Sequence, residues 1–165
     1  MILFLDFDGV LHPDAAFLER RKPVLRAQGE LFMWANLLAD ALIDRHHVQI
    51  VLSTSWTREL GFSRARDFLP EALRRRVVGA TWHSQMGRHP DDLHRSRLNW
   101  WDDATRYAQI KRWISRAGVQ DWIAVDDKPE GWAESDRDRL IQTDSETGLS
   151  DPSVQARLAF LLGPK

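Results

Sequence analysis

Two carboxylates stand two residues apart near the start of the chain, in Asp6-Phe7-Asp8, directly after the apolar run Ile2–Leu5. In such a pair one acid can attack phosphorus while the other donates or accepts a proton, because carboxylate nucleophiles form aspartyl-phosphates. Two anions facing an anionic phosphate repel it unless a cation intervenes. A second acidic pair, Asp126-Asp127, can supply the remaining oxygens for Mg2+, a hard ion that prefers carboxylate and water ligands. Midway between them the chain reads Ser53-Thr54-Ser55, and a hydroxyl at Thr54, with nearby backbone amides, can hold non-bridging phosphate oxygens. Positive charge for the transition state can come from Arg106 or Lys111, which precede the second acidic pair.

These groups act together only if the fold gathers them. Ile2–Leu5 suits a buried central strand, Val48–Leu52 a second, and Trp122–Val125 a third. Leu31, Trp34, Leu37, Leu38, Ala41 and Leu42 recur at helical spacing, which predicts an amphipathic helix over roughly Glu30–Arg45. Pro70–Arg76 reads as a short helix, Val77-Val78 as the start of a strand and Leu140–Gln142 as one more. Tyr107, Ile110, Trp113, Ile114 and Ala117 define a helix that Gly118 terminates. Asp151 can cap a last helix with Pro152 in its first turn and Val154, Leu158, Leu161 and Leu162 on its buried face. Strands alternating with helices predict a three-layer, Rossmann-like α/β domain with a central parallel sheet. Ligands bind such sheets beyond the carboxyl ends of the strands. Three strands end directly in Asp6 and Asp8, in Ser53–Ser55, and in Asp126 and Asp127, so neighbouring strands would bring all of them to one crevice.

Bulk composition is that of a globular chain, with 43% apolar and 28% charged residues, and its 165 residues fit one domain spanning 1–165. The formal charge of -1 gives no global basic bias toward nucleic acid, although Arg20–Lys22 and Arg74–Arg76 leave local patches open. Absence of cysteine excludes disulfides and thiolate metal sites. The leading apolar run is too short for a signal-peptide core and ends in acid, and no stretch approaches the ~20 apolar residues of a membrane span. A cytoplasmic protein is the expectation.

Residues 3–11, Leu-Phe-Leu-Asp-Phe-Asp-Gly-Val-Leu, resemble the first motif of the haloacid dehalogenase (HAD) superfamily of phosphatases. Val51-Leu-Ser-Thr-Ser-Trp56 resembles the second motif, and Ile123-Ala-Val-Asp-Asp-Lys-Pro129 the acidic fourth. Order and spacing fit from residue 2 to about residue 143. Ser-Thr-Ser-Trp, Arg106-Tyr-Ala-Gln-Ile110 and Val-Asp-Asp together look most like the small, cap-poor members associated with bacterial RNA-repair (Swiss Army Knife) proteins. The resemblance implies Asp6 as nucleophile and Asp8 as general acid and base. It implies Mg2+ held by the Asp6 side chain, the Asp8 main-chain carbonyl and Asp127, with Asp126 supporting. Thr54 would bind phosphate, with Ser53 and Ser55 one residue away as alternatives, and the motif's cation would be Arg106 or Lys111. A Mg2+-dependent phosphomonoester hydrolase follows, acting on a nucleotide or nucleic-acid terminal phosphate. The gap from Leu11 to Val48 is mostly used by one helix, and the gap from Trp56 to Arg106 holds a helix, a strand and a loop, so the cap is minimal or absent and the site open.

Other readings compete. A non-catalytic module with the same fold could sense a phosphorylated ligand or a partner, though it would have no need for Asp8. A two-component receiver places its phospho-accepting Asp mid-chain, whereas this chain carries its acids at both ends. His12 follows the first motif and could face the site, while His46, His47, His83, His89 and His94 lack ligand spacing for zinc. Trp34 and Trp113 sit on apolar helix faces. Trp82, Trp100, Trp101 and Trp132, near Arg88, Arg95 and Arg97, could stack bases, pack a loop or form a contact with a second copy.

Overall fold

The computed structural model describes residues 1–82 and 100–164. Its centre is a five-stranded sheet built from β1 (Ile2–Leu5), β4 (Gln49–Leu52), β5 (Val77–Ala80), β6 (Trp122–Asp126) and β7 (Leu140–Gln142), in the order β5-β4-β1-β6-β7. Every pairing is parallel. β1 is fully flanked, by β4 on one side and β6 on the other, which is why its four residues are apolar and buried without alternation.

Side chains of β1 divide between two cores. Leu3 and Leu5 pack with Ile50 and Leu52 against α1 (Ala35–Leu42), α3 (Phe62–Asp67), α4 (Glu71–Arg74) and α7 (Pro152–Leu162), through Leu38, Leu42, Ala65, Leu73, Val154 and Leu158. Ile2 and Phe4 face the other way, onto Ile110 and Ile114 of α6 (Arg106–Ala117). Helices therefore cover both faces, giving the three layers of a Rossmann-like α/β fold. Two further α-helices among the described residues are α2 (Trp56–Leu60) and α5 (Trp100–Asp103).

Local signals placed most of these elements. Thr105 caps α6 by accepting the Ala108 N–H at 3.2 Å, and Gly118 closes it at φ 66, the left-handed conformation a residue with a side chain resists. Asp151 accepts the Ser153 N–H at 2.7 Å at the head of α7, with Pro152 next.

Two segments depart from expectation. The predicted helix over 30–45 is only Ala35–Leu42, because Phe32 takes a positive φ of 62 that breaks helical continuity. The gap after β1 is not filled mainly by that helix either. It also holds an antiparallel hairpin, β2 (Ala16–Glu19) with β3 (Lys22–Leu25), joined at Arg20-Arg21. Both turn residues have positive φ, 49 and 66, as a two-residue type I′ turn requires. Asn-Gly or Asp-Gly would have announced that turn, and two arginines do not.

Trp132 is buried in the second core, with its ring centroid 4.9 Å from Tyr107 and 6.0 Å from Trp122. Trp113 meets Phe4 edge-on at 5.4 Å. The histidines His83, His89 and His94 and the arginines Arg88, Arg95 and Arg97 lie outside the described residues. Among the described residues, no helix is long and apolar enough to cross a membrane.

Tyr107, the chain's single tyrosine, offers a check of this side of the fold. Its hydroxyl donates to Asp136 Oδ2 at 2.7 Å, an oxygen that Lys111 Nζ also approaches at 2.9 Å. Burial and then the bond to Asp136 push the phenol up to about 12. The folded pKa exceeds the unfolded value of ~10, so the neutral phenol's share of stability is present below pH ~10 and is lost as pH climbs through about 12. Tyrosinate absorbance should rise late in native protein, and Asp136→Asn should bring the midpoint down toward ~10. An unchanged midpoint in that variant would contradict the contact.

Candidate active site

Parallel register does the assembling. Leu5 pairs with Leu52 on one side and Val125 on the other, so the next residues, Asp6, Ser53 and Asp126, stand level at the carboxyl ends of adjacent strands. The ladder continues into them, with Ser53 N–H donating to Leu5 O at 2.8 Å and Asp6 N–H donating to Val125 O at 3.2 Å.

Asp6 is 2% exposed. Its Oδ1 accepts the Phe7 N–H at 2.7 Å and its Oδ2 accepts Arg106 Nη2 at 3.0 Å. Arg106, the first residue of α6, also sets Nε 3.1 Å from Asp126 Oδ2, an ion pair without hydrogen-bond alignment. Lys111 lies elsewhere, on Asp136, so the guanidinium is the cation the fold brings to Asp6. Asp126 Oδ1 accepts the Lys128 N–H at 2.9 Å, and Lys128 Nζ reaches Asp127 Oδ2 at 2.9 Å and Asp14 Oδ2 at 2.8 Å. Lys128 and Asp14 escaped the sequence reading. The one available signal was a lysine directly following two acids that need compensation.

Burial and crowding show in the acidities. Burial pushes Asp6 up to about 6, with Arg106 pulling down and Asp8 adding repulsion. Burial, followed by repulsion from Asp6, holds Asp126 well above the usual carboxylate range, and burial raises Asp127 against the pull of Lys128. Burial works against the charge on Arg106, but Asp6 and Asp126 outweigh it and raise its pKa.

A divalent cation fits these residues. Asp6, Asp126 and Asp127 each present an oxygen within 4.8 Å of the others. Asp127 Oδ1 is buried with no hydrogen-bond partner among the described residues, an unsatisfied hard donor of the kind Mg2+ takes. Among the described residues, the carboxylates Asp6, Asp14, Asp126 and Asp127 outnumber the cations paired with them, Arg106 and Lys128. Gly9, at φ 68, lets the chain pass this cluster: a Cβ there would come within 2.6 Å of Asp127 Oδ2.

Asp8 stands apart from that cluster. Its Oδ1 lies 3.1 Å from His12 Nε2 and its Oδ2 accepts Trp56 Nε1 at 2.8 Å. It borders a recess of about 90 Å³ between the hairpin and α2, lined by Phe17, Leu18, Pro23, Trp56 and Leu60. A larger cavity of about 300 Å³ opens beside Arg106, lined by Ser55, Arg58, Trp101, Thr105 and Lys128. Ser55 belongs to both linings.

The three hydroxyls between β4 and α2 are not equivalent. Thr54 is fully buried and its Oγ1 accepts the Trp56 N–H at 3.4 Å. Ser53 Oγ is buried with no hydrogen-bond partner among the described residues, level with Asp6. Ser55 is exposed.

No curated protein and no solved structure matched the chain. A family model described as the HAD domain in Swiss Army Knife RNA repair proteins matches residues 2–154, a span that contains every group above. With the parallel sheet and the buried acidic cluster in place, the chain belongs to this family of HAD-fold domains.

Proposed function

We propose that this chain is a Mg2+-dependent phosphomonoester hydrolase that works through an aspartyl-phosphate on Asp6. The observation that carries the reading is the convergence of Asp6, Asp126, Asp127 and Arg106 at the ends of β1 and β6, with the Asp8 side chain facing an adjoining recess. Asp6 attacks phosphorus, the P–O bond to the leaving group breaks, and the departing oxygen takes a proton from Asp8. Water then attacks the same phosphorus, gives its proton to Asp8, and the bond to Asp6 breaks. Arg106 holds the Asp6 carboxylate and faces the charge that builds on the phosphoryl oxygens. Mg2+ held by Asp6, Asp127 and the Asp8 carbonyl, with Asp126 supporting, would neutralise the phosphate's charge and orient it. Among the hydroxyls, Ser53, level with Asp6 and unpartnered among the described residues, and the exposed Ser55 suit phosphate better than Thr54, which is fully buried and turned so that its oxygen accepts the Trp56 N–H.

The substrate we favour is a nucleotide or nucleic-acid end. The family's RNA-repair setting supports it, as does the cavity beside Arg106 with Arg58, Trp101 and Lys128 on its walls. In this reading residues 1–165 form one catalytic domain working in the cytoplasm, where such substrates reside.

Phosphate release from an aryl phosphate and from 5′- and 3′-phosphorylated nucleotides and oligonucleotides, with Mg2+ or EDTA, tests the proposal. Release in Mg2+ and its loss in EDTA are the expected outcome. Turnover of sugar phosphates alone would overturn the substrate class. A folded protein that binds Mg2+ and phosphorylated ligands without releasing phosphate would be a non-catalytic binding module.

A further inference from the structure

We propose that His12 and Trp56 are positioning residues that clamp the Asp8 carboxyl in the orientation its proton transfers need. The inference deepens the hydrolase reading and rests on it.

Each Asp8 oxygen meets a different ring nitrogen, Oδ1 at His12 Nε2 and Oδ2 at Trp56 Nε1. On its other side the imidazole accepts: His12 Nδ1 receives the Phe32 N–H at 3.3 Å. An Nδ1 that accepts a hydrogen bond leaves the proton of a neutral ring on Nε2, where it points at Asp8. Phe32 delivers that N–H from a backbone with φ 62, a conformation a phenylalanine takes only when its surroundings compel it.

Both clamping rings are themselves fixed. His12 is 0% exposed and Trp56 is 6% exposed. They sit in an aromatic cluster with Phe7, Phe32 and Phe68, where the contacts around Trp56 have ring centroids 5.2–5.7 Å apart. Packing alone would be met by apolar side chains. Burying an imidazole and an indole that both turn their N–H toward one carboxylate is an arrangement for holding that carboxylate.

The clamp leaves Asp8 able to work. Its side chain keeps 19% exposure and borders the recess under the hairpin. A carboxyl oxygen that carries a proton still has lone pairs, so it can accept an N–H while donating its own hydrogen to a departing alkoxide. Holding the group there replaces a search over rotamers with a ready geometry, and misplacement by about 1 Å can cost ~100-fold in rate. Trp56 also donates its backbone N–H to Thr54 Oγ1, so one residue ties the hydroxyl segment to the proton donor.

The test is a series of aryl phosphates running from dinitrophenyl to phenyl, with kcat/KM measured for wild type, Trp56→Phe, His12→Phe and His12→Gln. Poor leaving groups need the Asp8 proton and good ones depart without it. Trp56→Phe and His12→Phe should therefore lose ~10–100-fold on phenyl phosphate and far less on the dinitrophenyl ester, steepening the dependence on leaving group. His12→Gln, which restores an N–H donor, should recover part of the loss. Inhibition by inorganic phosphate should stay within ~2-fold of wild type, since the clamp acts on the proton and not on phosphate binding. A loss of equal size across the whole series, or none, would overturn the clamp while wild-type activity upholds the hydrolase. A wild type without metal-dependent release would overturn the hydrolase reading itself.

Discussion

Asp6→Asn should abolish phosphate release, by at least ~10^4-fold, and leave the fold intact. The replacement is nearly isosteric. Its amide oxygen can still accept one of the donors that Asp6 engages, the Phe7 N–H or Arg106 Nη2. What it loses is a nucleophile, and among the described residues the neighbouring carboxylates are held elsewhere. Asp126 is pinned by Arg106 and the Lys128 N–H, Asp127 is tied to Lys128, and Asp8 is tied to His12 and Trp56. Stability should change little, because Asp6 is a buried anion crowded by Asp8 and Asp127, and neutralising it removes repulsion along with the pairing to Arg106. Phosphate release and the urea midpoint, measured on one preparation, check both halves. Retained turnover in Asp6→Asn would sink the assignment of the nucleophile.

Arg106→Ala should damage both the fold and the chemistry. The guanidinium reaches across two buried carboxylates, on Asp6 and Asp126, from a side chain only 12% exposed. Removing one partner of a buried ion pair leaves the other uncompensated, which costs ~3–5 kcal/mol. Turnover should fall by ~10^2–10^3-fold, the usual effect of deleting a group aimed at transition-state charge. Added Mg2+ should return part of the stability by bringing positive charge to the same oxygens. Arg106→Lys should fall between, since an ammonium is a point charge and cannot span two carboxylates as a planar fork does. Lys111→Ala provides the contrast: it removes a contact to Asp136 far from the acids and should leave turnover near wild type. Full activity in Arg106→Ala, with loss in Lys111→Ala, would reverse the choice of cation.

The sheet was legible in the sequence because its signals are local. Four apolar residues running into Asp6, and four running into Asp126, mark buried strands whose ends need a ligand. Gly118, Asp151 and Pro152 mark helix ends by short-range chemistry. The hairpin was hidden because Arg20-Arg21 adopts positive φ without the glycine or asparagine that usually reveals it. The first helix was overextended because apolar spacing continued through Leu31 and Trp34, and spacing carries no notice of the backbone reversal at Phe32.

By itself, the sequence determined which chemistry was available: carboxylates at strand ends, hydroxyls at another, and cations ahead of the last acids. Tertiary structure decided which members of each set meet. Arg106 reaches Asp6 across a separation of 100 residues, and Lys111, one turn and a fraction further along α6, points to Asp136 instead. Nothing in their composition separates the two; helix phase relative to the sheet does. Ser53 stands level with Asp6 only through the parallel register of β1 and β4. His12 and Trp56 became partners of Asp8 only when an aromatic core closed around them, since residues 44 apart in sequence share a carboxylate solely through packing.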